Sequence, residues 1–453
     1  MTEFGGTMDR SHSLGEEKIS TLLWRFSLPA ITGMVVNAFY NVIDSIFVGR
    51  GVGEIGLTAV TIAFPIMIVL MGFGMLVGVG AAAVVSIRMG EKQQQQAEKI
   101  LGNAFTLSMI LSIVFTGVVL LFLDPILILL GAETDVLPYA REFTKIIVLG
   151  SPFMYIGFGL NNIVRAEGNP QMAMSTTLIS AGLNIVLNPL FIFTFHLGIG
   201  GSALATVVSQ GVSALWVLVY FLQGKSVLKL RKKNFALDTR IVRNIFEIGM
   251  SPFLMQIASS LTTVLFNYTL LRYSGELAVA AIGIINRMGM LMLMPIFGIS
   301  QGLQPIIGYN YGAGNYDRVT KALKIAIGAA TLFSTIGFLL IQIFDKQIIM
   351  LFNDNPELIL LGSEAMRINL CMLPVIGFQI IGANYFQAVG KAGYAIVLSM
   401  SRQLLILIPL VLLLPRLLGL QGVWLASPIA DFSAALLTGI FLFRELRKLS
   451  QKR

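Results

Sequence analysis

Charge is scarce in this chain. Asp, Glu, Lys and Arg make up 12% of its 453 residues, against about 25% in an ordinary soluble domain. Cysteine is nearly absent. Cys371 alone excludes a disulfide within the chain, and its place in an apolar run marks it as a small packed residue. Histidine occurs only as His12 and His196, both outside the long apolar runs. With so few ligating or nucleophilic groups, no metal cluster or nucleophile–base pair stands out, which argues against an enzyme. A GxxxxGK[ST] loop is missing too, so direct use of ATP is not expected. The opening MTEFGGTMDRSHSLGEEKIS lacks an apolar core and a small-residue cleavage site, so no cleaved leader is expected.

What fills the chain instead is apolar. Hydrophobic residues reach 56% and the mean hydropathy is +0.81. Stretches of roughly 20 apolar residues, each able to cross a bilayer, follow one another almost without pause. The first six are predicted at Leu22–Val48, Leu57–Ile87, Ile100–Leu123, Phe143–Val164, Met172–Phe195 and Ile199–Leu222. The second six are predicted at Ile245–Leu271, Leu277–Tyr309, Val319–Phe344, Leu361–Phe386, Tyr394–Leu414 and Leu420–Phe443. The runs are continuous rather than alternating, which excludes a membrane β-barrel. The expected fold is all-α, a polytopic membrane protein with twelve transmembrane helices.

The net charge of +9 is not spread evenly. Lys and Arg gather after predicted helices 2, 6 and 8 and in the C-terminal tail, while the alternate connections hold few. By the positive-inside rule both termini are cytoplasmic. The basic run KSVLKLRKKN then reads as a topology signal and a contact for anionic membrane lipid. Nucleic acid is not an expected partner, because a basic patch without a folded or arm-like presentation does not read as a binding face.

Shifting the sequence by about 222 residues brings its halves into register, the signature of an internally duplicated transporter. Pro29 falls on Pro252 and Asp44 on Asn267. Gly90 falls on Gly312, Pro152 on Pro374, Gly168 on Gly390 and Gly201 on Gly422. Six helices per repeat is an even number, so the halves share one orientation. They are expected to be related by a pseudo-two-fold along the membrane normal, with the substrate path between them. The expected domains are residues 1–223, a cytoplasmic basic linker 224–244, and residues 245–453.

A carboxylate at mid-bilayer costs about 3 kcal/mol on insertion scales, so Asp44 in NAFYNVIDSIFV calls for a reason. Asn37, Tyr40, Asn41 and Asp44 stand at i, i+3, i+4 and i+7 and form one polar stripe. In GLNIVLNPLF, Asn184 and Asn188 lie one turn apart, and Pro189 has no N–H for the carbonyl of Ile185. Ser202, Thr206, Ser209 and Ser213 share a face of helix 6, and Asn161 and Asn162 lie in helix 4. The helix 6 hydroxyls alone read as interhelical packing. Together with the amides and the single mid-helix carboxylate, they read as a coupling-ion site, since hard cations choose oxygen ligands. A desolvated carboxylate can instead hold a proton. In the second half, Arg287, Gln301 and Asp431 join Asn37 and Asn41 as candidates for lining a substrate cavity. Arg287 is a candidate ion-pair partner for Asp431.

These residues carry a resemblance. FSLPAITGMVVNAFYNVIDSIFVG, NNIVRAEGNP, GLNIVLNPLFIF, GIGGSALAT and YNYGAGNYDR resemble the multidrug and toxic compound extrusion (MATE) family, nearest its DinF/MepA-like bacterial branch, over nearly the whole chain. The resemblance implies two six-helix bundles and an antiporter that exports cationic or amphipathic drug-like compounds in exchange for sodium or protons. It implies a monomer in the plasma (inner) membrane of a prokaryote, and no cofactor beyond a bound sodium ion. Family positions for the cation site match Tyr40, Asp44, Asn161, Asn184, Asn188 and Thr206. Many relatives have aspartate before the helix 5 proline, where this chain has Asn188, so Asp44 is left as the one carboxylate of that set. A lipid-linked-precursor flippase of the same superfamily is the alternative function. It would favour extra helices and a strongly cationic cavity, against twelve helices here with Arg287 and Arg402 as the mid-helix arginines.

Overall fold

The computed structural model describes residues 13–224 and 226–451, with the side chains of residues 267, 271 and 273–276 left aside. His12 and the side chain of Asn267 therefore lie outside the described residues. Among the described residues the secondary structure is entirely helical. Among the described residues ten helices are long and apolar enough to cross a membrane, and counting each of two bent pairs as one span brings the number to twelve. We number them as spans 1 to 12. Spans 1 to 3 are Ile19–Gly51, Glu54–Gly90 and Gln94–Leu121, and span 4 is the pair Leu137–Leu149 and Ser151–Ala166. Spans 5 and 6 are Pro170–Thr194 and Gly198–Leu222. Spans 7 and 8, Thr239–Leu270 and Leu277–Gly312, lie in one run of helical backbone, Thr239–Gly312. Span 9 is Tyr316–Met350, span 10 the pair Pro356–Asn369 and Leu373–Ala388, and spans 11 and 12 are Ala392–Leu418 and Leu420–Ser450. The fold is thus all-α and polytopic, two six-helix bundles, as the sequence predicts.

Spans 4 and 10 differ from the straight helices that hydropathy predicts. They bend by 49° and 46°, and each second arm begins with a proline at its first turn, Pro152 or Pro374. Proline has no N–H for the preceding turn but suits the start of a helix, so the helix stops and restarts in a new direction. The two bends occupy matching places in the repeat. After each, the chain turns through a glycine with positive φ, Gly168 at +102° and Gly390 at +75°, a conformation that residues with a Cβ rarely adopt. Asn169 then caps span 5, its side-chain oxygen accepting from Met172 N at 3.2 Å.

Spans 5 and 11 each contain a π-helical stretch, Leu190–Thr194 directly after Pro189 and Ser401–Leu407 shortly before Pro409. Wide turns of this kind recur at functional sites.

The chain divides into two compact units that exchange segments. Unit 1 comprises residues up to Glu17 and Thr32–Phe253, and unit 2 comprises Lys18–Ile31 and Leu254–Arg453. The start of span 1 thus packs in unit 2, and the start of span 7 packs in unit 1. Each of these segments lies backbone to backbone against a glycine-bearing span. In unit 1 a Cβ on Gly80 would come within 2.2 Å of Ile245 O, and one on Gly249 within 1.8 Å of Leu76 O. In unit 2 a Cβ on Gly302 would come within 2.7 Å of Ser27 N. Gly80 and Gly302 stand 222 residues apart, and so do Ser27 and Gly249, so the repeat uses one small-residue crossing twice. Missing Cβ atoms are what let membrane helices approach this closely.

The basic connection after span 6 is fastened to unit 1. Buried Glu167 accepts from Tyr220 Oη, Ser226 Oγ and, at 3.4 Å, Leu228 N. Buried Glu98 accepts from Lys229 N at 3.3 Å and pairs with Arg231 at 3.2 Å. Asn103 donates to Asn234 O at 3.3 Å and accepts from Asp238 N at 2.8 Å. Its main chain is thereby held along span 3.

Candidate functional site

Asp44 lies two turns before the end of span 1, half-buried in unit 1. Two side chains donate to the same oxygen, Oδ1: Asn188 Nδ2 from span 5, and Ser202 Oγ from span 6 at 3.0 Å. Both donors are fully buried, at 0% exposure. Each is neutral, so they position the carboxylate without cancelling its charge.

With Asp44 ionised, the amide of Asn188 can face only one way. Reversed, it would press its oxygen against a carboxylate oxygen, so Nδ2 goes to Asp44 and Oδ1 points elsewhere. That Oδ1 is buried and has no donor in the structure. Leaving such an oxygen unpaired costs roughly 1–3 kcal/mol, and it is the kind of oxygen a hard cation takes. Asn161 repeats the pattern: Nδ2 donates to Ala173 O at 3.2 Å, and Oδ1 is buried without a donor. Asp44 and Asn188 therefore fit a cation bound through one carboxylate and one neutral amide oxygen, whereas Asn161, bonded at Ala173, stands about 20 Å along span 5 from Asn188 and is not brought to the same place.

The remaining expected residues fall around this cluster. Asn184 donates to Thr206 Oγ1 at 3.1 Å, joining spans 5 and 6 one turn from Asn188. Tyr40 is one turn before Asp44 on span 1. Asn41 donates to Asn37 O at 2.7 Å and to its Oδ1 at 3.1 Å, both residues exposed. The structure thus joins Asp44 to Asn188 and Asn184 to Thr206, and leaves Asn37 and Asn41 bonded along their own helix. Ser202 is the helix 6 hydroxyl that the sequence grouped with Ser209 and Ser213 without telling it apart from them. Its one visible signal was its place one turn before Thr206. The neighbours on that face do only pack: Ser209 donates to Ala205 O at 2.7 Å and Ser213 to Gln210 O at 2.9 Å.

In unit 2, Arg287 is exposed and Gln301 half-buried, both on span 8. Asp431 is buried on span 12 and takes Arg402 of span 11 as its partner, not Arg287. Sequence distance gives no facing for residues on different helices, and the π-helical stretch of span 11 alters which of its residues face span 12.

A model of the MatE family matches the chain twice, over residues 29–190 and 252–413. The chain belongs to the MatE family. Each MatE match begins on a proline, Pro29 and Pro252, which are the prolines next to the points where the chain passes between its units. The first match contains Tyr40, Asp44, Asn161, Asn184 and Asn188, and ends before Ser202 and Thr206. Among curated relatives, a multidrug export protein MepA from Staphylococcus haemolyticus is 29% identical over 432 residues, 95% of each chain. One from Staphylococcus aureus is 28% identical over 421 residues, 93% of each chain. A solved MATE in the bent conformation has a TM-score of 0.93 at 25% identity, covering 98% of this chain and 99% of its own. A MOP superfamily transporter from Pyrococcus furiosus has a TM-score of 0.91 at 26% identity, with the same coverage. As a MatE member of the MepA-like branch, the chain is a multi-pass plasma-membrane transporter.

Proposed function

We propose that this chain is a secondary active antiporter that exports cationic or amphipathic drug-like compounds in exchange for sodium ions or protons. The observation that carries the reading is the Asp44 cluster, a half-buried carboxylate in a membrane span held by two neutral donors. Among the described residues no basic side chain is bonded to it. A charge in that position is costly unless something neutralises it, and here the neutralising group has to arrive from solution. The substrate class rests on the relatives named multidrug export protein.

Asp44 and Asn188 would hold the coupling ion. Bound there, a sodium ion or proton supplies the charge that cancels the carboxylate. The chain's own residues do the rest. Asn188 and Ser202 fix Oδ1, so Oδ2 is left for the arriving cation. The Asn184–Thr206 bond ties spans 5 and 6, keeping Asn188 and Ser202 in register around Asp44. Exchange follows if ion and substrate favour different conformations, since each shifts the equilibrium only by its difference in affinity. Both termini are cytoplasmic by the loop charges, and a monomer suffices because the cluster is built within one chain.

Purified protein in liposomes, with sodium and proton gradients imposed separately, tests this. One of the two gradients is expected to drive transport of a cationic dye. Asp44→Asn is expected to abolish the driven flux while inserting into the membrane at wild-type levels. Undiminished flux in that variant, or flux driven by neither gradient, would overturn the reading.

A further inference from the structure

Unit 2 contains a buried carboxylate that the reading above does not use. Asp431 is 4% exposed, and Arg402 Nε donates to its Oδ1. Arg402 stands in the π-helical stretch Ser401–Leu407. Its neighbour Gln403 buries an amide oxygen with no donor, as Asn188 does in unit 1. Cys371, at the break of span 10, lies within range of the Asp431 charge.

Spans 11 and 12 are the repeat mates of spans 5 and 6. LIPL at residues 407–410 answers LNPL at residues 187–190, and Gly422 answers Gly201. In unit 1 these two spans deliver Asn188 and Ser202 to Asp44. In unit 2 they deliver Arg402 to Asp431, which span 12 itself carries. The same pair of helices thus surrounds a carboxylate in both units, and the units differ in what satisfies it. Neutral donors leave the Asp44 cluster with a net negative charge, whereas the guanidinium leaves the Asp431 pair neutral. A carboxylate out of water has to be neutralised by a proton, an ion or a fixed cation.

We propose that Asp431 is a second cation site whose occupant is tethered, the guanidinium of Arg402, so that unit 2 is closed to sodium ions and protons. Arg402 is then a specificity-determining residue that sets how many ions the transporter exchanges. A guanidinium suits this role because it stays charged at any physiological pH and cannot be shed as a proton. The count of exchanged ions rests on the Asp44 reading, and the test separates the two.

Bound cations are counted on detergent-purified protein, with radioactive sodium and with proton uptake as separate probes. Arg402→Gln is expected to bind about one cation more per chain than wild type. The added cation should vanish in the double variant Arg402→Gln with Asp431→Asn. In an Asp44→Asn background, Arg402→Gln should still add one, so a failed Asp44 reading lowers the wild-type count without touching the difference. An unchanged count in Arg402→Gln would overturn the proposal. If Arg402→Gln does not fold while the double variant does, adding sodium or lowering pH during purification should restore it. Failure of both to restore it would overturn the proposal, and so would a double variant that cannot fold, which would make the pair a structural clasp.

Discussion

Asn188 and Ser202 reach Asp44 from two different spans, and each can be removed separately. A hydrogen bond to a charged group contributes roughly 1.5–3 kcal/mol. A carboxylate that has lost one donor accepts a cation more readily. Ser202→Ala should therefore lower the ion concentration for half-maximal export by about tenfold. Ser209→Ala should stay within about twofold of wild type, because that hydroxyl bonds its own helix; flux titrations in liposomes compare the two. Asn188→Asp would set a second carboxylate beside Asp44, and two neighbouring carboxylates do not both ionise freely. Its dependence on pH and sodium should move while its range of exported compounds stays, which parallel flux assays measure. Asp44 and Asn188 were legible in the sequence because a carboxylate and paired amides are rare in apolar runs. Ser202 could not be told apart from Ser209 and Ser213, since a helical hydroxyl satisfies itself on the preceding turn as easily as it crosses to a neighbour. The partner of Asp431 was illegible for another reason: the facing of spans 11 and 12 depends on a π-helical stretch that composition does not announce.

At the scale of the element, span 5 shows how a proline shapes the site without touching it. Pro189 cannot donate to Ile185 O, and the five residues after it widen into a π-helical stretch. Pro189→Ala would restore that donor and favour a regular α-helical continuation. The turn carrying Asn188 would then rotate away from Asp44. The variant should insert and express normally but require several-fold more ion for half-maximal export, because the Asn188 oxygen that would ligate the ion turns away with it, which outweighs the acceptor freed on Asp44. The same flux titration checks it, and an unchanged ion requirement would show that the proline does not set the position of Asn188. Span positions were readable from hydropathy, because length and apolarity decide what crosses a bilayer. The bends in spans 4 and 10 were not. A hydropathy window averages across a bend, and a proline in the first turn of the second arm is at home in a helix. The fastening of the basic connection also escaped the sequence reading, which registered its charges as a linker but not the buried Glu98, Glu167 and Asn103 that hold its main chain.

At the scale of the whole molecule, the repeat was visible in sequence, but the exchange of segments between its halves was not, because an apolar helix start does not name the unit it packs in. The exchange makes a prediction. A chain cut between Gly224 and Ser226 yields one fragment lacking the Thr239–Phe253 segment of unit 1 and another lacking the Lys18–Ile31 segment of unit 2. Neither fragment alone should accumulate as a stable membrane protein, and co-expression should restore both, which blotting of membrane fractions measures. Stable accumulation of either fragment alone would show that its borrowed segment is dispensable. Synthesis runs in one direction, and that gives the exchange a temporal meaning. Lys18–Ile31 is among the first stretches to leave the ribosome, yet the glycine face it packs against, around Gly298 and Gly302, is made more than 260 residues later. Unit 1 likewise has to wait for Ile245 and Gly249 before the face around Gly80 is covered. For most of translation, then, each half-built unit exposes a glycine face or an unplaced segment to the membrane, and the insertion machinery has to tolerate that interval.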